Sequence, residues 1–186
     1  MRHKYSTTAL VLSRHPIAEA GMLVTLLTPE LGLVRARAEG VRRSGAKLAH
    51  ALQTLHASDV MLVRGKEGWR LTGALLSEDC FSSLTRESRL RAGRVAGLLL
   101  RLVNGELAEP ALHSYFYDFV RALPDLTQEE QDGAESLVAL RLLHTLGSDA
   151  GILPPEGYTK EALDHALAER KGLIVRINRG ITTSGL

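Results

Sequence analysis

The densest chemistry-bearing stretch of this chain is cationic. Arg35, Arg37, Arg42, Arg43 and Lys47 stand within thirteen residues, with Glu39 as the one acid among them. Arg35 and Arg37 are two apart and point the same way from an extended strand. Arg42, Arg43 and Lys47 follow in a loop that contains Gly45. A sheet face and a loop of Arg and Lys suit a phosphate backbone, where several cations together displace condensed counterions. Arg64, Lys66 and Arg70 add charge at the next hairpin. A third group lies on a helix expected over 84–103. At 100° per residue, Arg86, Arg89, Arg94 and Arg101 share an arc of about 140°, with Val95, Leu98, Leu99 and Leu102 opposite. Gly93 and Gly97 fall on the arginine side, where small residues allow a backbone or another helix to approach. Solvated surface charge is the plainer alternative for each group. Clustering favours nucleic acid for the 35–47 group.

Other chemistry finds no support in spacing. Gly40-Val41-Arg42-Arg43-Ser44-Gly45-Ala46-Lys47 resembles a phosphate-binding P-loop. Ala46 stands where that motif needs Lys, Leu48 where Ser or Thr must follow the Lys, and the segment joins two strands. No pair among the seven histidines has i, i+4 spacing with an acid between, and none has a cysteine partner at ligand spacing. His50 and His56 are nearest, six apart, without an evident third ligand. Cys80 follows Glu78 and Asp79, whose negative charge disfavours a thiolate; a structural cysteine is the better reading. Ser13, Ser44 and Ser77 lack a nucleophile-elbow context. Glu129, Glu130, Asp132 and Glu135 sit at or near a helix start, where the dipole favours acids. No catalytic constellation, metal site or cofactor site is expected, and the chain reads as a non-enzyme.

The elements that must carry these residues change period near residue 80. Strands are expected at Lys4–Arg14, Met22–Thr28, Leu33–Val41, Leu55–Arg64 and Trp69–Leu76. The third alternates: Leu33, Arg35, Arg37 and Glu39 on one face, Val34, Ala36, Ala38 and Gly40 on the other. Five short strands in about 75 residues predict a small antiparallel barrel, because closure removes exposed edges. Past Phe81 the period is helical. Helices are expected over 84–103 and 110–123, then from a Thr127/Glu130 capping box to Gly147, and from Thr159 toward Asn178 with Gly172 as a weak point. The third should present a stripe of Leu137, Val138, Leu142 and Leu146. The fold class is therefore α+β, with domains at 1–80 and 81–186.

Composition narrows the partners. The chain has 186 residues, 45% hydrophobic and 24% charged, which is ordinary for a globular protein with a real core. One cysteine excludes a disulfide framework and a multi-cysteine zinc site. The longest apolar run is far below the roughly 20 residues of a spanning helix. No signal peptide is evident, so a cytoplasmic location and no membrane partner are expected. The net charge of +2 hides an asymmetry. Residues 1–104 carry 16 Lys and Arg against 8 Asp and Glu; residues 105–186 carry 7 against 13. A basic front suggests an anionic partner lying across the barrel and Arg86–Arg101, with the acidic helices facing away.

Several blocks resemble the bacterial DNA repair protein RecO family. Ala9–Arg14, Glu19-Ala20 and Leu23–Gly32 look like its opening. Ala38-Glu39-Gly40-Val41-Arg42-Arg43 with Lys47-Leu48, then Leu52-Gln53 and Val60–Gly65, continue it in order. Leu142–Gly147 and the tail Ala168–Lys171 to Ile177–Arg179 are compatible. The resemblance covers roughly residues 8–80 with specificity. It implies an N-terminal OB-fold and a helical domain. It implies a non-enzymatic mediator of recombinational repair that binds single- and double-stranded DNA and anneals complementary strands. Such proteins engage the acidic tail of the single-stranded-DNA-binding protein and act with RecR to load RecA. By position, Arg42, Arg43 and Lys47 match the basic loop of the barrel. Many relatives carry a four-cysteine zinc site in the helical domain; with Cys80 alone, this chain reads as a short variant without it. Two other readings fit the same physics: an OB-fold protein that binds RNA, and a protein–protein adaptor with a basic face.

Overall fold

The computed structural model describes residues 3–17, 21–39 and 47–185, and of Lys47 only the backbone. The chain divides into two compact units, Met1–Ser83 with Gly105–His113, and Leu84–Asn104 with Ser114–Leu186. The return of residues 105–113 to the first unit is not visible in the periodicity.

The first unit holds strands β1 (Lys4–Ile17), β2 (Gly21–Thr28), β3 (Gly32–Ala38), β4 (His56–Gly65) and β5 (Gly68–Asp79), with a short helix α1 (Lys47–Ala51) before β4. The strands close into a barrel in the order β1-β2-β3-β5-β4, with β4 pairing back to β1. The expected antiparallel barrel needs one correction. The β3–β5 pair is parallel, through Ala36–Trp69, Arg37–Arg70 and Ala38–Leu71. Local patterns cannot show this, because β3 and β5 meet only after the chain has passed through α1 and β4.

The barrel core follows the alternation of the strands. Ala9, Val11, Val24, Leu26, Val34, Ala36, Ala38, Val60, Leu62 and Leu71 point inward together. Trp69 is buried among them, directly opposite the small Ala36 across the parallel pair. A large ring beside alanines lets a narrow barrel fill without strain. Register shifts at Val11/Ser13 in β1, and at Ala57/Ser58 and Met61/Leu62 along β4–β5, bend the strands enough to close. The first shift also places Leu10, Val11 and Leu12 all in buried positions. On the outward face, Leu10, Leu27 and Leu33 pair in register and are buried as a second apolar row. Leu33 was expected on the exposed face with Arg35 and Arg37; its backbone direction agrees, but it is covered.

The predicted 42–47 loop ends in α1, and residues 40–46 lie outside the described structure. Leu52, just after α1, enters the barrel core, and Ser58 Oγ donates to Ala51 O at 2.7 Å. Leu55 has φ 65°, held by its N–H bond to Val11 O at 2.8 Å. At this end His56 is buried, with Nδ1 2.9 Å from His50 O and Nε2 3.0 Å from Asp79 Oδ1. Asp79 also accepts from the backbone N–H groups of Phe81 and Ser82 and from Ser82 Oγ. The Ser82 hydroxyl, with the Ser82 N–H, holds the Asp79 carboxyl below the usual carboxylate range.

The second unit is helical: α2 (Arg86–Leu102), the continuation of α3 (Pro110–Ala122), α4 (Gln128–Thr145), α5 (Lys160–Ala168) and α6 (Arg170–Thr183). Thr85, Thr127 and Thr159 cap α2, α4 and α5 through their hydroxyls, and Glu130 completes the capping box at Thr127. Gly147, at φ 72°, follows the α4 C-terminus. Helix α4 is more central than a stripe implies. Every residue from Leu137 to Leu143 is buried, so neighbours surround it. Gln131 donates to Leu123 O and Leu126 O and accepts from Ser88 Oγ. Arg141 donates to Pro155 O and Gly157 O at 2.6 and 2.8 Å, between the faces of Tyr115 and Tyr158. The expected last helix is two, broken at Glu169 rather than Gly172. The buried stripe Leu163, Ala166, Leu173 and Gly180 keeps its phase through the break, so period alone could not locate it.

Gly32 has φ 68°, and a Cβ there would stand 2.0 Å from Leu107 O. Gly32→Ala should lower stability by about 2–3 kcal/mol in urea unfolding. Arg141→Met orphans two carbonyls and should cost about 1–3 kcal/mol. Because the folded pKa of Asp79 is depressed, its stabilisation is present above the unfolded value, near 4, and is lost as pH falls through the folded value. Asp79→Asn should therefore lower the melting temperature at pH 7, and the gap to the parent should close in strong acid.

Candidate nucleic-acid interface

The barrel brings Arg37 of β3 together with the predicted cations of the β4–β5 hairpin. In β3, period 2 turns Arg35 and Arg37 outward while Val34, Ala36 and Ala38 fill the core. The parallel register puts Arg37 directly beside Arg70. Gly65 and Gly68 close the β4–β5 hairpin, with Gly68 at φ 100°, and carry Lys66 at its tip. An open cleft of about 950 Å³ results, lined by Lys4, Arg37, Arg64, Lys66 and Arg70 together with Glu39 and Glu67. Lys4 joins through β1–β4 pairing, where it faces Val63; sequence spacing gave no sign of it. Arg35 is exposed but does not line the cleft.

Most of the arginines are held by carboxylates. Arg37 pairs with Glu67 at 3.3 Å and Arg70 with Glu39 at 3.1 Å. Arg64 pairs with Glu106. Lys4, Arg35 and Lys66 form no ion pair among the described residues. All these groups are exposed to a third or more, so each pair is worth little in water and can exchange partners. The arrangement pre-orients guanidinium groups and leaves lysines beside them, which suits a phosphodiester chain.

Aromatic groups are few. Trp69 is 6% exposed and belongs to the core. Its indole edge still reaches the barrel mouth: Nε1–H donates to Glu106 Oε1 at 2.9 Å. The Arg64 guanidinium lies 5.1 Å from the ring centroid, and Tyr5 meets the ring edge-on at 5.1 Å. Glu106, like Lys4, is a residue that sequence reasoning missed. It sits in a segment with neither period.

The other predicted site residues fall elsewhere. Arg42 and Arg43 lie outside the described residues, as does the side chain of Lys47. Arg86, Arg89, Arg94 and Arg101 belong to α2 in the helical unit. Arg86 and Arg101 are exposed, and Arg89 is half-buried. Arg94 is clamped by Glu135, with Nε and Nη2 at 2.6 and 2.7 Å, and that hydrogen bonding raises its pKa further. Arg91, not singled out from sequence, bridges Asp132 and Glu135. Cβ atoms at Gly93 and Gly97 would meet nothing within 4 Å among the described residues.

Counting charge by unit changes the picture drawn from sequence halves. The barrel unit holds 11 Lys and Arg against 9 Asp and Glu, and the helical unit 12 against 12. The arginine helix joins the acidic helices, and Glu106 and Glu109 join the barrel. What distinguishes the barrel is local clustering rather than a large net charge.

Among the described residues no three His, Cys, Asp or Glu side chains converge as metal ligands, and Cys80 is buried. A four-cysteine zinc site does not fit this chain. No described helix is long and apolar enough to cross a membrane.

Comparison with known proteins places the barrel. Residues 1–77 match the family described as Recombination protein O N terminal, an OB-fold domain. The chain is 31% identical over 132 residues to a DNA repair protein RecO of Dehalococcoides mccartyi strain 195, covering 69% of this chain and 51% of that protein. It is 28% identical over 170 residues to that of strain CBDB1, covering 91% and 62%. A DNA repair protein RecO of Gloeobacter violaceus is 39% identical over 70 residues, 38% of this chain and 27% of that protein. The chain thus spans about half to three-fifths of the length of its Dehalococcoides relatives.

Proposed function

The chain belongs to the RecO family, and from that premise we propose that it acts in DNA repair and recombination as a non-enzymatic protein that binds single- and double-stranded DNA. The observation that carries the reading is the Arg37–Arg70 juxtaposition across the parallel strand pair, in a cleft with Arg64, Lys4 and Lys66. Five cations in one open groove suit a run of phosphates better than scattered surface charge does. Arg35 adds an exposed cation on β3, and Arg42, Arg43 and Lys47 belong to the proposal by their place in the sequence alone. On α2, Arg86, Arg89 and Arg101 are candidates for further phosphate contacts. Arg94 contributes only if it leaves Glu135.

The mechanism is electrostatic. Phosphates exchange with Glu39 and Glu67 on arginines already held in place, and counterions are released. Bases receive few stacking partners, so affinity should depend weakly on sequence and strongly on salt. Two strands bound on such a surface lose mutual repulsion, which is how a cationic protein promotes annealing without chemistry. Partnership with RecR, capture of the acidic tail of the single-stranded-DNA-binding protein, and indirect help to RecA belong to the same proposal.

Single-stranded DNA binding and annealing of complementary oligonucleotides, each at two salt concentrations, test it. Binding should weaken steeply with salt. Arg42→Ala with Arg43→Ala should shallow the slope of log K against log salt by about 1.4, near 0.7 per lost phosphate contact. An unchanged slope would remove that loop from the site. Equal or tighter binding to a matched RNA strand would favour an RNA-binding role, and no binding to either would favour an adaptor.

A further inference from the structure

Within the barrel unit, the segment Gly105–Glu109 lies over the sheet. The backbone of Leu107 crosses Gly32 so closely that a Cβ there would overlap it. One residue earlier, Glu106 divides its carboxylate between two donors. Oε1 accepts from the indole N–H of Trp69 at 2.9 Å, and Oε2 accepts from Arg64. The guanidinium and the indole are cross-strand neighbours, since Arg64 pairs with Trp69 in the β4–β5 ladder. Arg64 also lines the cationic cleft.

Two converging donors, one charged and one neutral, each take a different oxygen of one anion. A phosphodiester presents the same pair of non-bridging oxygens. Buried Trp N–H groups need an acceptor, and here the acceptor comes from a segment remote in sequence. Its hold is weak: the side chains of Arg64 and Glu106 are 52% and 38% exposed, a setting in which ion pairs contribute little. A phosphate arriving with counterion release can replace such a carboxylate.

We propose that Arg64 and Trp69 Nε1–H form a phosphodiester subsite at the barrel mouth, and that Glu106 occupies it as an internal anion displaced when nucleic acid binds. This rests on the barrel being the nucleic-acid-binding unit. The Gly105–Glu109 strap therefore competes with the ligand. A closed state populated ten to one reduces apparent affinity by about tenfold.

Trp69 is the chain's one tryptophan, so its emission reports on this site alone. The full chain is titrated with a single-stranded oligonucleotide, following Trp69 fluorescence and anisotropy of the labelled DNA. Glu106→Gln should tighten binding by about five- to tenfold. Glu109→Gln removes the same charge from the same strap without touching either donor, and should change affinity by about twofold or less. Glu106→Asp keeps the charge but is too short to reach both donors, so it should also tighten binding, which net charge cannot explain. DNA should shift Trp69 emission in the parent, and Glu106→Gln should show part of that shift without DNA. If the parent binds DNA but Glu106→Gln and Glu109→Gln act alike, or Glu106→Asp has no effect, or Trp69 emission ignores DNA, the subsite is wrong and the nucleic-acid reading stands. If the parent binds no DNA at low salt, both fall.

Discussion

The barrel depends on the parallel pairing of β3 with β5, a contact between strands remote in sequence. Without it the strands form an open sheet with two bare edges. The same three residue pairs do three jobs. Ala38–Leu71 joins inward side chains of the core, Ala36–Trp69 seats the largest side chain against the smallest, and Arg37–Arg70 aligns two guanidinium groups on the outer surface. Closure and cation placement are therefore not separable. A slip of one residue in this register would send Arg37 inward and Ala36 outward, which burial of an unpaired charge forbids. The interior thus fixes the position of the exterior charges without any contact among those charges being strong.

Like charges brought together by register must be tolerated before any ligand arrives. Glu67 and Glu39 sit alternately with Arg37 and Arg70, and Glu106 meets Arg64. Each pair is exposed and individually weak. Their joint effect is to hold extended guanidinium groups at the surface, pre-oriented for an anionic ligand. The cost is competition, because a ligand must displace carboxylates. Such a surface favours long polyanions over small ones, since one strand replaces several carboxylates in a single binding event and releases counterions along its length.

Much of this was legible where a local rule decides. The alternation of 33–39 told which face of β3 is charged, and Thr127 with Glu130 marked the start of α4. What escaped was set by tertiary context. Leu33 points outward yet is buried, because an apolar row runs through Leu10 and Leu27 beside it. Helix α1 has five residues, too few for a period to register. The α5–α6 break leaves the buried stripe in phase. Of the candidate site, the arginines were readable as a cluster, but Lys4 and Glu106 reach it only through strand pairing and chain return.

That chain return also revises the electrostatic argument at its root. The contrast between a basic front and an acidic back belongs to the order of the sequence, not to the folded units. Arg91 and Arg94 neutralise Asp132 and Glu135 within the helical unit, and Glu106 and Glu109 return to the barrel. The helical unit then carries equal numbers of cations and anions, and the barrel a small excess. Long-range attraction scales with net charge and is screened over about 8–10 Å, so neither unit should steer a polyanion strongly from a distance. If the barrel binds DNA as proposed, recognition is short-range, through the geometry of a few guanidinium groups within a Debye length of the strand. On that account a change that merely adds positive charge to the helices should matter less than one that moves Arg37, Arg64 or Arg70 by an ångström.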